Sequence, residues 1–152
     1  MKEASALYRL LGDEARLRLL RVLARERLNV TELTGVLGLA QSGVSRHLGL
    51  LKDAGLVAEE RDGGFTYYRL APSLAGSQAD GSPLAVALRT QFEDAASDAA
   101  VRADEARLQE VLRLRLSCSV LLNLAQGASA LGCHQGLLCL SDIEMQPRPL
   151  AQ

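Results

Sequence analysis

With 152 residues, the chain is long enough for one core and a single domain of ordinary size. Hydrophobic residues make up 48% but aromatic ones only 3%, so Leu, Val and Ala must build the interior, which favours a mainly α fold. The net charge of −1 excludes neither nucleic acid nor protein as a partner, but residues 1–70 carry 11 Lys and Arg against 9 Asp and Glu, whereas 71–152 carry 6 against 9.

No basic, apolar leader opens the chain, and no apolar run approaches the roughly 20 residues of a membrane span. A cytoplasmic location without a membrane partner is therefore expected. The three cysteines all lie beyond position 117, and an odd number does not make a secreted disulfide framework.

Residues 2–11 have helical character, with Ala6, Leu7, Leu10 and Leu11 on one side. Gly12 interrupts the run, and Asp13 is placed to cap a helix over about 14–26. Its stripe is Leu17, Leu20 and Ala24, widened by Leu19 and Leu23. Arg16, Arg18, Arg21, Arg25 and Arg27 fill much of the remainder and read as a solvated basic face, with phosphate contact by one or two as the alternative.

Thr31 is expected to cap a short helix over 32–37, ended by Gly38. A second helix, about 42–53, carries Val44, Leu48 and Leu51 inward. Its other face holds Ser42, Ser45, Arg46, Gly49 and Lys52, groups small or cationic enough to approach a duplex. Between Leu33 and Lys52 there is no acidic residue, so a polyanion would meet no repulsion there. Val57–Arg61 and Phe65–Leu70 have strand character, with Asp62-Gly63-Gly64 between them as a hairpin turn. Helix, tight turn, helix and hairpin together make a helix-turn-helix with a wing.

Residues 71–82 read as a Gly-, Ser- and Ala-rich linker, after which Ser82 and Pro83 start a helix. Leu84, Leu88, Phe92, Ala95 and Ala99 share one of its faces to about residue 100. A further amphipathic segment, 104–116, carries Leu108, Val111 and Leu112; one bent helix and two helices fit equally well. From Ser117 onward only Asp142, Glu144 and Arg148 are charged. The expected organisation is a winged helix-turn-helix domain over 1–100, a helical connector over 101–116 and a tail over 117–152.

At LGDEARLRLLRVL, TELTGVLGLAQSGVSRHLGLLKDAGLV and ERDGGFTYYRL the chain resembles the arsenic-repressor (ArsR/SmtB) family of bacterial winged-helix regulators, over about residues 5–100. The specific part is Gln41-x-x-Val44-Ser45-Arg46-His47-Leu48-x-x-Leu51 followed by the Asp-Gly-Gly wing turn. The resemblance implies a winged helix-turn-helix fold with long C-terminal helices for dimerisation. It implies a homodimeric repressor on a palindromic double-stranded operator, with helix 42–53 in the major groove and half-sites about 34 Å apart. Gln41, Ser42, Ser45, Arg46, His47 and Lys52 would then reach bases or phosphates, with Arg61, Gly63 and Gly64 near the flanking backbone or minor groove. For His47, packing or phosphate binding stands open beside base reading. Tyr67 and Tyr68 fit wing and dimer packing better than base stacking. Leu7, Leu10, Leu84, Leu88 and Phe92 would build the dimer. Ala40 stands where the family commonly has a Ser cap, which costs about 1 kcal/mol, with Gln41 or Ser42 able to shift the helix start. Gly43 loosens the first turn by up to about 1 kcal/mol.

Many relatives hold a soft metal or arsenite through cysteines in the helix before the recognition helix. Here that stretch offers Asn29, Val30, Thr31 and Thr34, and hydroxyls and an amide do not replace thiolates. Relatives with a site on the last helix use His, and residues 83–100 contain none. No cofactor or metal is therefore expected. Cys118, Cys133, His134 and Cys139 are ligands of suitable chemistry, but their spacing lacks a paired C-x2-C clip. Asp104–Arg115 resembles the connector of family members fused to a methyltransferase; with no glycine-rich cofactor motif following, the likeness implies a truncated or frame-altered relative. No nucleophile–base pair or phosphate loop supports an enzyme. The rival reading is a winged-helix module that docks protein, against which Arg46, Lys52 and the acid-free stretch argue. The inducing signal is unknown.

Overall fold

The computed structural model describes residues 2–75 and 82–126, and the chain divides into two compact units, Met1–Val111 and Leu112–Gln152. In order come α1 (Lys2–Leu11), α2 (Glu14–Arg25), β1 (Leu28–Asn29), α3 (Val30–Leu37), α4 (Gln41–Asp53), β2 (Val57–Asp62) and β3 (Phe65–Leu70). A 3-10 turn (Pro72–Leu74), α5 (Pro83–Asp94), a second 3-10 turn (Ala95–Ser97) and α6 (Ala99–Gln126) follow. The question of one bent helix or two is answered by that second turn, which separates α5 from α6.

Helix α2 is the centre of the first unit, packed against α1, α3, α4 and β3. Its inward arc is Leu19, Leu20, Val22 and Leu23, all buried. The expected stripe is thus rotated: Leu17 is half-buried and Ala24 exposed. Packing against these elements draws the arc toward Leu19 and Leu23, a choice that Leu spacing alone does not make. Leu28, Leu33, Val36, Val44, Leu48 and Leu51 complete a core of aliphatic side chains at 2% exposure or less. Burying a Leu or Val of this kind contributes roughly 1.5–3 kcal/mol each.

The strands form an antiparallel sheet in the order β1-β3-β2. Its hairpin runs in register from Val57↔Leu70 to Asp62↔Phe65 and closes with Gly63 and Gly64 at φ 56° and 87°. Two consecutive positive φ angles match the twist of the strands and favour glycine at both places. Strand β1 adds Leu28↔Tyr68 and Asn29↔Tyr67; two residues are too few to show a period.

Helix α3 starts two residues earlier than expected, with Asn29 rather than Thr31 as its cap. The Glu32 amide donates to Asn29 Oδ1 and the Asn29 amide to Glu32 Oε2, both at 2.9 Å, a reciprocal capping box. Helix α4 begins at Gln41, so its start is not shifted: Ala40 is the cap residue and offers no side-chain hydrogen bond. Ser82 caps α5 as expected, accepting from the Ala85 amide at 3.4 Å.

Val101, Asp104 and Leu108 of α6 are buried within the first unit, so residues 101–111 pack there. In the second unit, Ser117 Oγ donates to the Arg113 carbonyl at 3.1 Å. Cys133, His134 and Cys139, and the side chain of Cys118, lie outside the described residues.

Candidate nucleic-acid interface

The amphipathic pattern of α4 buries Val44, Leu48 and Leu51 against the core. Because the helix is fixed by that stripe, Gln41, Ser42, Ser45, Arg46, Gly49 and Lys52 all stand on its exposed side. Arg46 has no hydrogen-bond or ion-pair partner among the described residues. Its guanidinium keeps five donors for an outside acceptor.

His47 departs from the others. It is only 7% exposed and lies on the buried side of α4, and its Nδ1 has no hydrogen-bond partner among the described residues. A residue three positions after Val44 and four before Leu51 shares their face, so its side chain is turned toward the core and away from the surface that carries Arg46.

The wing supplies the second half of the surface. Glu59, Glu60 and Asp62 would repel a polyanion, but neighbouring elements compensate them. Lys52 Nζ meets Glu59 Oε2 at 2.9 Å, and that hydrogen bond holds the ammonium above the usual lysine range. Arg27 reaches Asp62 at 2.9 Å and Glu60 at 3.5 Å while its guanidinium lies 4.9 Å from the Tyr67 ring centre. Its hydrogen bond to Asp62 is the main cause of a raised pKa. Tyr67 in turn meets Phe65 edge-on at 6.5 Å. Arg61 and Arg69 are exposed and have no such partner among the described residues, and Gly63 and Gly64 form the exposed tip.

The arginines of α2 behave differently from a solvated face. Arg16 Nε donates to the Leu10 carbonyl and Nη2 to that of Arg9, tying α1 to α2. Arg21 donates to the Phe92 carbonyl at the end of α5, and Arg25 pairs with Glu105 of α6 at 3.4 Å. Arg18 is held by Asp104 in a two-pronged pair at 2.7 and 2.6 Å. That hydrogen bond is the largest influence on Arg18, raising its pKa against the opposing effect of burial. Asp104, 3% exposed, went unnoticed in the sequence. The available signal was a carboxylate on the apolar side of a helix, three residues after Val101 and four before Leu108.

Of the expected dimer residues, Leu7, Leu10, Leu84 and Phe92 are half-buried, whereas Leu88 is 4% exposed and belongs to the protomer's own core. The expectation that Leu88 helps to build a dimer is therefore withdrawn. Tyr8 and Val86, 75% and 50% exposed, stand on α1 and α5 instead. A cavity of about 120 Å³ lined by Leu17, Arg21, Phe92 and Val101 among others includes no residue of α4 or the wing. Among the described residues, no cluster of three or more His, Cys, Asp and Glu could hold a metal ion, and no helix is long and apolar enough to cross a membrane.

Residues 13–59 match the sequence profile described as "Bacterial regulatory protein, arsR family". Among similar proteins, the arsenic resistance transcriptional regulator ArsR1 of Pseudomonas putida is 43% identical over 68 residues, which are 44% of this chain and 53% of that one. The arsenical resistance operon repressor of Escherichia coli is 36% identical over 69 residues, 45% of this chain and 59% of its own. The chain thus spans little more than half the length of these curated relatives. Among solved structures, M. tuberculosis Rv0081 superposes with a TM-score of 0.50 at 32% identity, covering 64% of this chain and 92% of that one. The transcriptional repressor BigR from Xylella fastidiosa gives 0.50 at 30%, covering 64% and 91%.

Proposed function

The chain belongs to the arsR family of bacterial regulatory proteins, and on that premise we propose that it is a homodimeric transcriptional repressor that reads operator DNA with α4. The observation that carries this reading is the exposed face of α4, where Arg46 stands uncompensated beside Gln41, Ser42 and Ser45. A helix of this width fits the major groove, and an arginine fork there matches the two acceptors of guanine. Arg61, Arg69 and the Gly63-Gly64 tip would meet the flanking phosphates or minor groove. Lys52 would contribute charge at the end of α4 while it holds Glu59. His47 has a packing role and is set aside as a base reader.

Dimerisation places two copies of α4 on successive major grooves, as two-fold symmetry requires of a palindrome. The apolar surface for it is Leu7, Tyr8 and Leu10 on α1 with Leu84, Val86 and Phe92 on α5. A cytoplasmic location follows from the role. The inducing signal is not assigned.

The deciding experiment is fluorescence anisotropy of the protein against DNA upstream of its own gene, over a salt series, with a scrambled duplex alongside. Tight binding to the first duplex that weakens steeply with salt is expected. Absence of binding at low salt overturns the reading. Sedimentation of Leu84→Asp is expected to give monomers; a surviving dimer removes α5 from the interface.

A further inference from the structure

Helix α4 starts without local anchors, since Ala40 provides no side-chain cap and Gly43 occupies the first turn. The turn that leads into it leaves the C-terminal end of α3, whose last turn contains no cation. A helix end of this kind presents unpaired carbonyls and the negative pole of the helix dipole. Here the cations come from elsewhere in the chain. Arg18 Nη2 donates to the Leu37 carbonyl at 3.1 Å, and Arg107 Nε donates to the Val36 carbonyl at 2.6 Å. One buried carboxylate holds both guanidiniums: Asp104 accepts from Arg18 at 2.7 and 2.6 Å and from Arg107 Nη2 at 3.0 Å.

We infer that Asp104 is a positioning residue for α4: through Arg18 and Arg107 it grips the end of α3 and so fixes the turn from which α4 departs. The carboxylate and the two carbonyls form a closed set: Arg18 spans both oxygens of Asp104, Arg107 shares Oδ1 with it, and each guanidinium also satisfies one carbonyl of α3. Neutralising Asp104 leaves Arg18, whose side chain is 16% exposed, without its counter-charge. Both guanidiniums are then free to turn away from α3. Asp104 and Arg107 of α6, remote in sequence, thereby supply the anchorage that Ala40 and Gly43 do not. Its consequence for DNA rests on the reading of α4 given above.

The test uses the full chain with Asp104→Asn, which keeps the shape and removes the charge. Arg107→Ala serves as a second variant, because Arg107 is 45% exposed on its side chain and its loss leaves the core intact. Amide hydrogen exchange at Gly38–Val44 is compared with exchange in β2 and β3 under conditions where all proteins are folded. Both variants are expected to exchange about tenfold faster in the turn and unchanged in the sheet, the effect of losing one charge-assisted hydrogen bond. Operator preference over scrambled DNA should fall by a similar factor, with binding to scrambled DNA unaltered. Turn amides that stay protected, or that loosen only in step with the sheet, overturn the inference and make Asp104 a general stability residue. Loosened turn amides with an unchanged operator preference overturn its consequence for DNA. A wild-type chain that shows no operator preference refutes the DNA reading instead, and the exchange contrast still decides the role of Asp104.

Discussion

Helix α2 and the surface made by α4 and the wing are both rich in basic residues, yet they use them in opposite ways. Arg16, Arg18, Arg21 and Arg25 on α2, with Arg27 just beyond it, each end on a carbonyl or carboxylate of another element. Arg46, Arg61 and Arg69 end on nothing among the described residues. The neighbours set the difference. Helix α2 is surrounded by helix ends, which present carbonyls, and by the acidic side of α6. No element among the described residues packs on the outer face of α4, and the wing's own carboxylates are taken by Lys52 and Arg27. Positive charge is available to a polyanion only where the fold leaves it uncompensated. A count of arginines along the chain does not show where that is.

The largest test of this contrast is Arg18→Ala. Removing one partner of a buried ion pair typically costs about 3–5 kcal/mol, so urea denaturation should show a loss of that order. Arg46→Ala should change the same measurement by no more than about 0.5 kcal/mol, as for an ordinary surface substitution. If Arg18→Ala is equally silent, the two sets of arginines are not different in kind.

Next in size is the effect of Arg46→Ala on DNA binding. Operator affinity should fall by roughly 1–3 kcal/mol with relaxed preference at one base position, read by anisotropy on a set of single-base variants. An equal loss on every sequence would make Arg46 a phosphate contact.

A smaller effect is expected where α4 begins. Ala40→Ser restores a side-chain cap and should stabilise the fold by about 1 kcal/mol in thermal denaturation. Gly43→Ala should add up to about 1 kcal/mol, since no atom outside the helix backbone lies within 4 Å of the new methyl. No gain from either would mean that the Asp104 clasp already supplies the whole anchorage.

The smallest expected effect is on the exposed pair between α4 and the wing. Glu59→Gln frees Lys52 for phosphate, so stability should barely move while the salt dependence of DNA binding steepens by about one unit of slope. The raised pKa of Lys52 means that its contribution is complete below the ordinary lysine value and disappears only as pH rises through the raised one. Titration near neutrality should therefore leave the pair intact.

Much of this architecture was legible because it is local. The Val44-Leu48-Leu51 stripe fixes which side of α4 is outward, and the glycines of Asp62-Gly63-Gly64 mark a hairpin turn, although Asp62 itself pairs with Phe65 and leaves only two residues in the loop. Ser82-Pro83 starts a helix by the chemistry of its own first turn. Features that failed to show are those built by partners distant in the chain. Strand β1 is two residues long and exists because β3 lies beside it. Asn29 and Glu32 do have capping-box spacing, but Thr31 competed for the same role. Leu88 shares a face with Leu84 and Phe92, yet only packing reveals that it is enclosed by the rest of the chain while they are partly open.

By itself, then, the sequence determined the element types, the inward face of α4 and the acid-free stretch around it, because helical period and turn chemistry act over a few residues. The tertiary structure alone decided which cations are free and how α6 reaches back to the end of α3. Those are pairings across 19 to 86 positions of chain, and no short-range pattern encodes them.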